Sequence, residues 1–172
     1  MESKTIHNFS AGPCCLPKPV LEKAQADLVS WNGTGVSVME MSHRSKSFVS
    51  IAENAEKNLR TLLKIPDNFK IFFFQGGASL QFSAIPLNLM RTHKKANYLV
   101  TGSWGKGAAK EAKKYGEVNE VIAPLEAYTG CPDVSEWNVA EDADYFHFCD
   151  NETIYGVEFG QDSFPFEKIP AG

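Results

Sequence analysis

Two adjacent residues in this sequence, His43 and Arg44, could bind an anion. They lie in the segment Glu-Met-Ser-His-Arg-Ser at residues 40–45, between two stretches with helical patterns. Loops held between rigid elements often carry binding residues, and the guanidinium fork of arginine suits a carboxylate. A single His-Arg pair is more often a solvated surface pair. Three further motifs favour a shared ligand, because each falls where a predicted strand ends: residues 75–79 (Gln-Gly-Gly-Ala-Ser), 101–104 (Thr-Gly-Ser-Trp) and 151–153 (Asn-Glu-Thr).

The glycine pair at residues 76 and 77 suits a phosphate. It follows a predicted strand and precedes a predicted helix, so backbone N–H groups and the positive end of the helix dipole would converge there. The other interpretation is a tight strand-to-helix turn that needs glycine for steric reasons. On this motif alone the two interpretations are about equally favoured.

The segment at residues 102–107 (Gly-Ser-Trp-Gly-Lys-Gly) is not a nucleotide loop. Such a loop needs four residues between its first glycine and Gly-Lys, and a Ser or Thr afterwards. Gly107 occupies that last position, which excludes ATP binding by this motif. Trp104 at the start of a helix is, by itself, most often a packing residue, and Thr153 by itself is an ordinary loop threonine.

The bulk properties are those of one soluble globular domain. The chain has 172 residues, of which 43% are apolar and 22% charged, and this length is sufficient for a core. No apolar run approaches a bilayer span and the N-terminus lacks a signal-peptide pattern, so we expect a cytoplasmic protein without a membrane partner. The net charge of −4, with both signs interspersed, disfavours a nucleic-acid partner.

The cysteines and histidines predict no metal site. The four cysteines have no Cys-x-x-Cys spacing, which disfavours structural zinc, and we expect free thiols. His147 and Cys149 would share one face of a strand, but two ligands without a third do not make a zinc site. Core packing is the favoured interpretation of this pair.

The elements that would position these motifs follow from periodicity. Apolar residues at helical spacing predict a helix over residues 20–31 and an amphipathic helix that begins near Lys46 and ends before Pro66. From residue 70, short apolar runs alternate with helical stretches, which predicts an α/β fold with a mainly parallel sheet flanked by helices. Helices are predicted at 79–90 and 104–115, and strands at 70–74, 98–101, 117–122, 145–149 and 154–159. The continuous apolarity of residues 71–74 predicts a central strand buried on both faces.

Taken in order, the motifs resemble those of the phosphoserine aminotransferases, pyridoxal-phosphate enzymes of fold type I. The resemblance runs from Asn8 nearly to the last residue. It is carried by residues 8–13, 33–44, 75–77, 81–84, 86–89, 101–104 and 151–159. It implies an N-terminal arm at residues 1–16 and, over residues 17–172, an incomplete cofactor-binding large domain.

The resemblance also implies roles for individual residues. Ala78 and Ser79 would bind the phosphate of pyridoxal 5'-phosphate, Trp104 would stack on its ring, and the Thr153 hydroxyl would bond its phenolic oxygen. His43 and Arg44 would bind the substrates, glutamate and 3-phosphohydroxypyruvate, in an enzyme of serine biosynthesis that works as a homodimer. Ser79 departs from many family members, which carry arginine there to hold the substrate phosphate.

The resemblance does not extend to the whole family pattern. The family is longer, and its later segments carry the aspartate that meets the cofactor's ring nitrogen and the Schiff-base lysine, neither of which has a counterpart here. The tail from residue 161 has turn residues without a helical pattern. We therefore expect the front part of a longer protein, inactive alone. The alternatives are a non-catalytic module that binds a phosphate ligand or another subunit, and, more remotely, an unrelated α/β enzyme with similar short motifs.

Overall fold

The computed structural model describes residues 6–10, 12–160 and 164–169. The chain divides into two compact units, Met1–Phe73 and Phe74–Gly172, and each is described by itself. Parts of the predicted arm (residues 1–5 and 11) and of the tail (161–163 and 170–172) lie outside the described residues.

The first unit holds two helices and the turns between them. Helix α1 spans Lys18–Val29 and helix α2 spans Lys46–Leu63, with short 3-10 turns at Trp31–Gly33 and Val38–Glu40 between them. Ser45 caps α2, because its hydroxyl accepts the Phe48 N–H at 3.2 Å. The helix ends at Lys64, which adopts the left-handed conformation with φ 52°. Both predicted helices are confirmed.

The second unit is built on a parallel sheet. Strand β1 (Lys95–Leu99) lies between β2 (Glu117–Glu120) and β3 (Phe146–Phe148), and both pairings are parallel. Helix α3 (Gly77–Leu89) precedes β1, and α4 (Ser103–Ala112) connects β1 to β2. A separate antiparallel hairpin pairs β4 (Asn151–Glu152) with β5 (Val157–Glu158). Short 3-10 turns lie at Val134–Glu136 and Phe166–Lys168.

Strand β1 is the central strand of this sheet, and both of its faces are covered. On one face, Ala96 and Tyr98 pack with Ala108 and Ala112 of α4. On the other, Leu99 packs with Val121, Ile122 and Phe164. Phe164 stacks on Phe148 with ring centroids 3.8 Å apart. The strand that leads into the loop before α4 is thus packed on both faces.

Helices α3 and α4 run in the same direction. A side chain at Gly107 would contact Phe82, the Ser83 hydroxyl donates to the Glu111 carboxylate at 2.7 Å, and Met90 packs with Ala112 near the ends of both helices. The contact partners advance in the same order along both helices, so the two amino ends lie on the same side of the unit.

The predicted central strand at residues 70–74 is wrong. The structure has no strand there, and Phe72, Phe73 and Phe74 are 68%, 65% and 69% exposed. Continuous apolarity indicates that a segment can be buried, whereas a strand also requires a ladder of backbone hydrogen bonds to another strand. Among the described residues, neither edge of the three-stranded sheet pairs with this segment.

The predicted strand at residues 154–159 is wrong in its extent. Only Val157–Glu158 is extended, and it pairs antiparallel with Asn151–Glu152. Residues 153–156 form the connecting turn, in which Gly156 has φ 73° and the Tyr155 and Gly156 N–H groups donate to the Glu152 carbonyl. The other predicted helices and strands of the second unit are present with shifted ends.

Candidate functional site

The carboxyl end of β1 leads directly into α4, and this junction presents Trp104. The N-cap of α4 is Gly102, which has no side chain to cap the helix. A Cβ at Gly102 would overlap the carboxylate of Glu152, so the close approach of the β4–β5 hairpin requires glycine there. Trp104 is 43% exposed, and its ring therefore offers a surface to a ligand.

Glu152 supplies the cap that Gly102 lacks. Its carboxylate is fully buried and accepts the Trp104 N–H at 2.9 Å and the Gly105 N–H at 2.6 Å. A buried carboxylate is stable in this setting because two amides and the positive end of the helix compensate its charge. Glu152 thereby ties the hairpin to the first turn of α4.

Thr153, the next residue, fixes the indole ring. The Trp104 Nε1–H donates to the Thr153 hydroxyl oxygen at 3.0 Å. Since that oxygen acts as the acceptor, the hydroxyl hydrogen remains available for donation to a ligand. The structure therefore brings the predicted residues Trp104 and Thr153 into direct contact.

A tyrosine pair borders this site. The ring of Tyr155 lies 4.9 Å from the ring of Tyr128, and the Ser103 hydroxyl donates to the Tyr155 hydroxyl at 3.4 Å. The sequence interpretation gives no role to Glu152, Tyr128 or Tyr155, although Glu152 belongs to the motif at residues 151–153. The missing capping side chain at Gly102 was the available signal that a distant acceptor must reach the start of α4.

The glycine turn at residues 76–77 opens helix α3 as predicted. Gly76 and Gly77 have φ of 88° and 57°, and a Cβ at Gly76 would lie 2.6 Å from the Leu80 Cβ, so glycine is required there. Ala78 and Ser79 are exposed in the first turn, where backbone N–H groups have no intrahelical partner. These amides lie on the same side of the unit as the amino end of α4.

His43 and Arg44 occupy an exposed turn of the first unit, immediately before α2. The turn is closed by the Ser45 N–H, which donates to the Ser42 carbonyl at 2.9 Å, and the Arg44 N–H donates to the Ser42 hydroxyl at 3.2 Å. Within the described part of the chain, the Arg44 guanidinium forms no ion pair. The turn leaves both side chains accessible to an anion.

His147 and Cys149 are packing residues in this structure. The His147 ring stacks on Tyr98 with centroids 4.7 Å apart, and burial lowers the pKa of His147 to about 4. Burial raises the pKa of the Cys149 thiol, and the nearby Glu152 carboxylate adds to this shift. Among residues 6–10, 12–160 and 164–169, no group of three His, Cys, Asp or Glu side chains could hold a metal ion. The four cysteines are free thiols.

No helix in the described ranges combines the length and apolarity that crossing a membrane requires.

The chain is similar to known aminotransferases. The sequence profile of the family described as "Aminotransferase class-V" matches residues 6–164. A phosphoserine aminotransferase of Acinetobacter baumannii is 54% identical over 155 residues, which cover 89% of this chain and 43% of that protein. Phosphoserine aminotransferase 1, chloroplastic, of Arabidopsis thaliana is 53% identical, over 90% of this chain and 36% of that protein. The chain thus spans less than half the length of these relatives.

The chain is also similar to solved structures of phosphoserine aminotransferases. The crystal structure of PLP-bound phosphoserine aminotransferase from Trichomonas vaginalis superposes with a TM-score of 0.86 at 46% identity, covering 94% of this chain and 45% of that one. The phosphoserine aminotransferase of Bacillus circulans subsp. alkalophilus gives a TM-score of 0.84 at 41% identity, covering 95% and 45%. The predicted fold is confirmed: an α/β unit with a parallel sheet flanked by helices, corresponding to the front part of the large domain of fold-type I aminotransferases. The resemblance to the N-terminal portion of phosphoserine aminotransferases is also confirmed.

Proposed function

Because the chain belongs to the class-V aminotransferase family, we propose that it is part of a phosphoserine aminotransferase. That enzyme would transfer an amino group from glutamate to 3-phosphohydroxypyruvate and so contribute to serine biosynthesis. The observation that carries the proposal is the indole of Trp104, which Thr153 and Glu152 hold at the carboxyl end of β1. Ligands of open α/β sheets bind at this end of the strands. The relatives with 52–54% identity that bear this enzyme's name support the same proposal.

The residues present fit pyridoxal 5'-phosphate. The first turn of α3 offers unpaired amides at Ala78 and Ser79 to a phosphate. The exposed face of Trp104 offers a flat surface to an electron-poor ring. The Thr153 hydroxyl keeps its hydrogen for an oxygen on that ring, because its oxygen already accepts from the indole. A helix amino end, an aromatic face and a hydroxyl donor together match a phosphorylated, oxygen-bearing aromatic cofactor.

Each residue would then act by positioning. Bound pyridoxal 5'-phosphate supplies the electron sink that transamination needs. Ala78 and Ser79 would anchor its phosphate, and Trp104 would exclude water from one ring face. Thr153 would set the ring orientation through its hydrogen bond. Glu152, which touches neither cofactor nor substrate in this assignment, would keep Trp104 in place.

His43 and Arg44 would bind the substrate carboxylate. Arginine pairs with a carboxylate through two parallel hydrogen bonds, which fixes orientation as well as charge. Both substrates carry such a carboxylate, so one residue can serve both half-reactions. Ser79 offers a hydroxyl where many family members have arginine, so we propose that recognition of the substrate phosphate depends on another basic residue or is weaker.

We also propose that the enzyme is a cytoplasmic homodimer and that the 172-residue chain has no activity by itself. No lysine of this chain matches the family's Schiff-base position, and the chain spans 43% of its bacterial relative. The second candidate is a non-catalytic module that binds a phosphate ligand or another subunit, which the accessible amino end of α3 favours.

The test is a transamination assay on the protein at its native length, with pyridoxal 5'-phosphate, glutamate and 3-phosphohydroxypyruvate. We expect 2-oxoglutarate to form in proportion to phosphoserine. Thr153→Val should weaken cofactor binding, measured by visible absorbance titration, about tenfold, as the loss of one hydrogen bond predicts. Thr129→Val, at another exposed loop threonine, is the matched control. Cofactor binding without turnover would favour the non-catalytic module, and absence of both would contradict the proposal.

A further inference from the structure

A cavity lies in the second unit, between helix α4 and the segment that follows β2. It has a volume of 340 Å³. Val100, Ile122 and Leu125 line it and are called its apolar floor, and Tyr128 also lines it. None of the residues predicted to bind the cofactor or the substrates lines it. Ligand sites are mostly cavities of about 300–1,000 Å³ with apolar walls and a few polar groups.

Helix α4 and its C-cap residue place three lysines around this apolar floor. Lys106, Lys110 and Lys113 are spaced by four and three residues, so they share one face of the helix. The other face carries Ala108 and Ala112, which are buried in the core. The alternation of lysine and alanine thus gives α4 one face for the sheet and one for the cavity.

The charges of the lysines are incompletely compensated. Lys113 bonds Glu120 at 2.7 Å, and among the described residues Glu120 is the only acidic one that lines the cavity. Lys106 and Lys110 form no ion pair within the described part of the chain. Three lysines and one glutamate leave a local charge of +2 at the cavity, although the chain carries a net charge of −4. Lysines that only cover apolar surface would need neither a concave floor nor this separation of charge.

We propose that this cavity binds a small organic anion with an apolar body. The carboxylate or phosphate head would contact Lys106 and Lys110, and the hydrocarbon or aromatic body would lie on Val100, Ile122 and Leu125. Tyr128 would stack against an aromatic body. A small molecule fits better than an acidic protein segment, because the apolar floor is concave and its basic rim comes from a single helix.

The cavity adjoins the Trp104 site without sharing its predicted binding residues. Tyr128 contacts Tyr155, whose hydroxyl accepts from the Ser103 hydroxyl, next to Trp104. The residues that line the cavity all lie between Val100 and Tyr128, so it would bind an anion whether or not the protein is an aminotransferase.

The test is isothermal titration calorimetry of the protein at its native length with 3-phenylpropionate, phenyl phosphate and the neutral 3-phenylpropanamide. We expect one site with a Kd of about 1 mM or tighter for an anion of this size, and binding of the neutral amide at least about fivefold weaker. The two anions distinguish a carboxylate-selective from a phosphate-selective site. Binding should weaken as salt is raised, because the lysines are exposed.

Two lysine variants and a matched control make the test specific. Lys106→Gln and Lys110→Gln should each weaken binding about two- to fivefold. Lys114→Gln removes a lysine of the same segment that pairs with Glu111 and does not line the cavity, and it should leave the Kd unchanged. Ala123→Phe should block the cavity, and circular dichroism will verify that each variant keeps its fold.

Four outcomes would overturn the proposal. The first is that neither anion binds up to about 10 mM, well beyond the expected Kd, and the second is that the neutral amide binds as tightly as the anions. The third is that Lys114→Gln weakens binding as much as Lys106→Gln and Lys110→Gln do. The fourth is that a folded Ala123→Phe variant binds the anions with an unchanged Kd. The proposal would also be overturned if a polyglutamate peptide binds while 3-phenylpropionate and phenyl phosphate do not. That result would assign the lysine face to an acidic protein partner.

Discussion

Arg44 is accessible because the turn at residues 42–45 satisfies its own backbone. The Ser42 carbonyl and hydroxyl accept the Ser45 and Arg44 N–H groups, and the Arg44 guanidinium has no ion-pair partner among the residues described. A charged donor without an internal partner is suited to an external carboxylate.

We expect Arg44→Ala to impair the use of both glutamate and 3-phosphohydroxypyruvate, because each presents a carboxylate to the same fork. Loss of a charged hydrogen bond costs about 1.5–3 kcal/mol, or at least about tenfold in kcat/KM. Steady-state kinetics at native length, with each substrate varied in turn, measures this effect. Lys46→Ala, two residues away, should change kcat/KM less than about twofold. Unchanged efficiency for both substrates in Arg44→Ala would show that Arg44 is only a surface charge.

His147 couples the stability of the second unit to pH. Burial lowers its pKa to about 4 from an ordinary value of 6.5, so the folded state favours the neutral imidazole. Well above pH 6.5 the titration of His147 does not change the free energy of unfolding, because its imidazole is neutral in the unfolded chain as well. Between pH 6.5 and 4 the unfolded chain takes up a proton that the folded chain does not, and stability falls.

We expect this residue to lower the free energy of unfolding by about 2 kcal/mol between pH 7.5 and pH 5. Urea unfolding at the two pH values measures the change. His147→Gln removes the titrating group and should reduce the pH dependence by that amount. The same pH dependence in the variant would assign the effect to other groups.

At the level of elements, helix α4 depends on a residue 47 positions away from its first turn. Gly102 gives the helix no capping side chain, and Glu152 on the β4–β5 hairpin accepts the N–H groups of Trp104 and Gly105. The helix that presents the indole and the hairpin that presents Thr153 therefore form one structural element. A change at Glu152 should act on both.

We expect Glu152→Gln to destabilise the protein by about 1.5–3 kcal/mol. The amide can accept from only one of the two N–H groups, and its NH₂ group would face the other. Urea unfolding followed by tryptophan fluorescence measures the loss. Glu158→Gln, an exposed position on the paired strand of the same hairpin, is the control and should change stability by less than about 0.5 kcal/mol. Equal stabilities of both variants would show that the cap contributes little.

The sequence predicts those helices and strands whose signals are local, and it fails where an element depends on a distant partner. Helix α2 is predictable because its amphipathic periodicity is local, and α3 and α4 because each fills a helical stretch that follows a short apolar run. The strand predicted at 70–74 was wrong because apolarity reports the capacity for burial, whereas pairing depends on a partner elsewhere. The capping role of Glu152 is missed for a similar reason, since no local pattern connects it to Gly102. Trp104 and Thr153 were identified through the family resemblance, and their mutual hydrogen bond required the structure.

At the level of the whole molecule, helix α3 is apolar around its circumference. One side packs on α4, while Leu80, Leu87 and Leu89 are 45%, 69% and 52% exposed. A helix of this kind is typical of the interior of a large protein. The longer relatives provide the context in which such a helix would be covered, so measurements of catalysis belong to the protein at its native length.

We expect that no lysine of the 172-residue chain forms a specific covalent adduct with the cofactor. Lys106 is the lysine nearest in sequence to Trp104, but residues two positions apart on a helix do not face each other. Its side chain instead lines the cavity beside α4, so its amine is not presented with the indole face.

We therefore expect incubation with pyridoxal 5'-phosphate, followed by borohydride, to label several surface lysines weakly and without transaminase turnover. Peptide mass spectrometry locates the labels, and Lys106→Arg should leave the other labels unchanged. Stoichiometric labelling of one lysine, together with turnover by the 172-residue chain, would contradict this prediction and place the covalent chemistry within these residues.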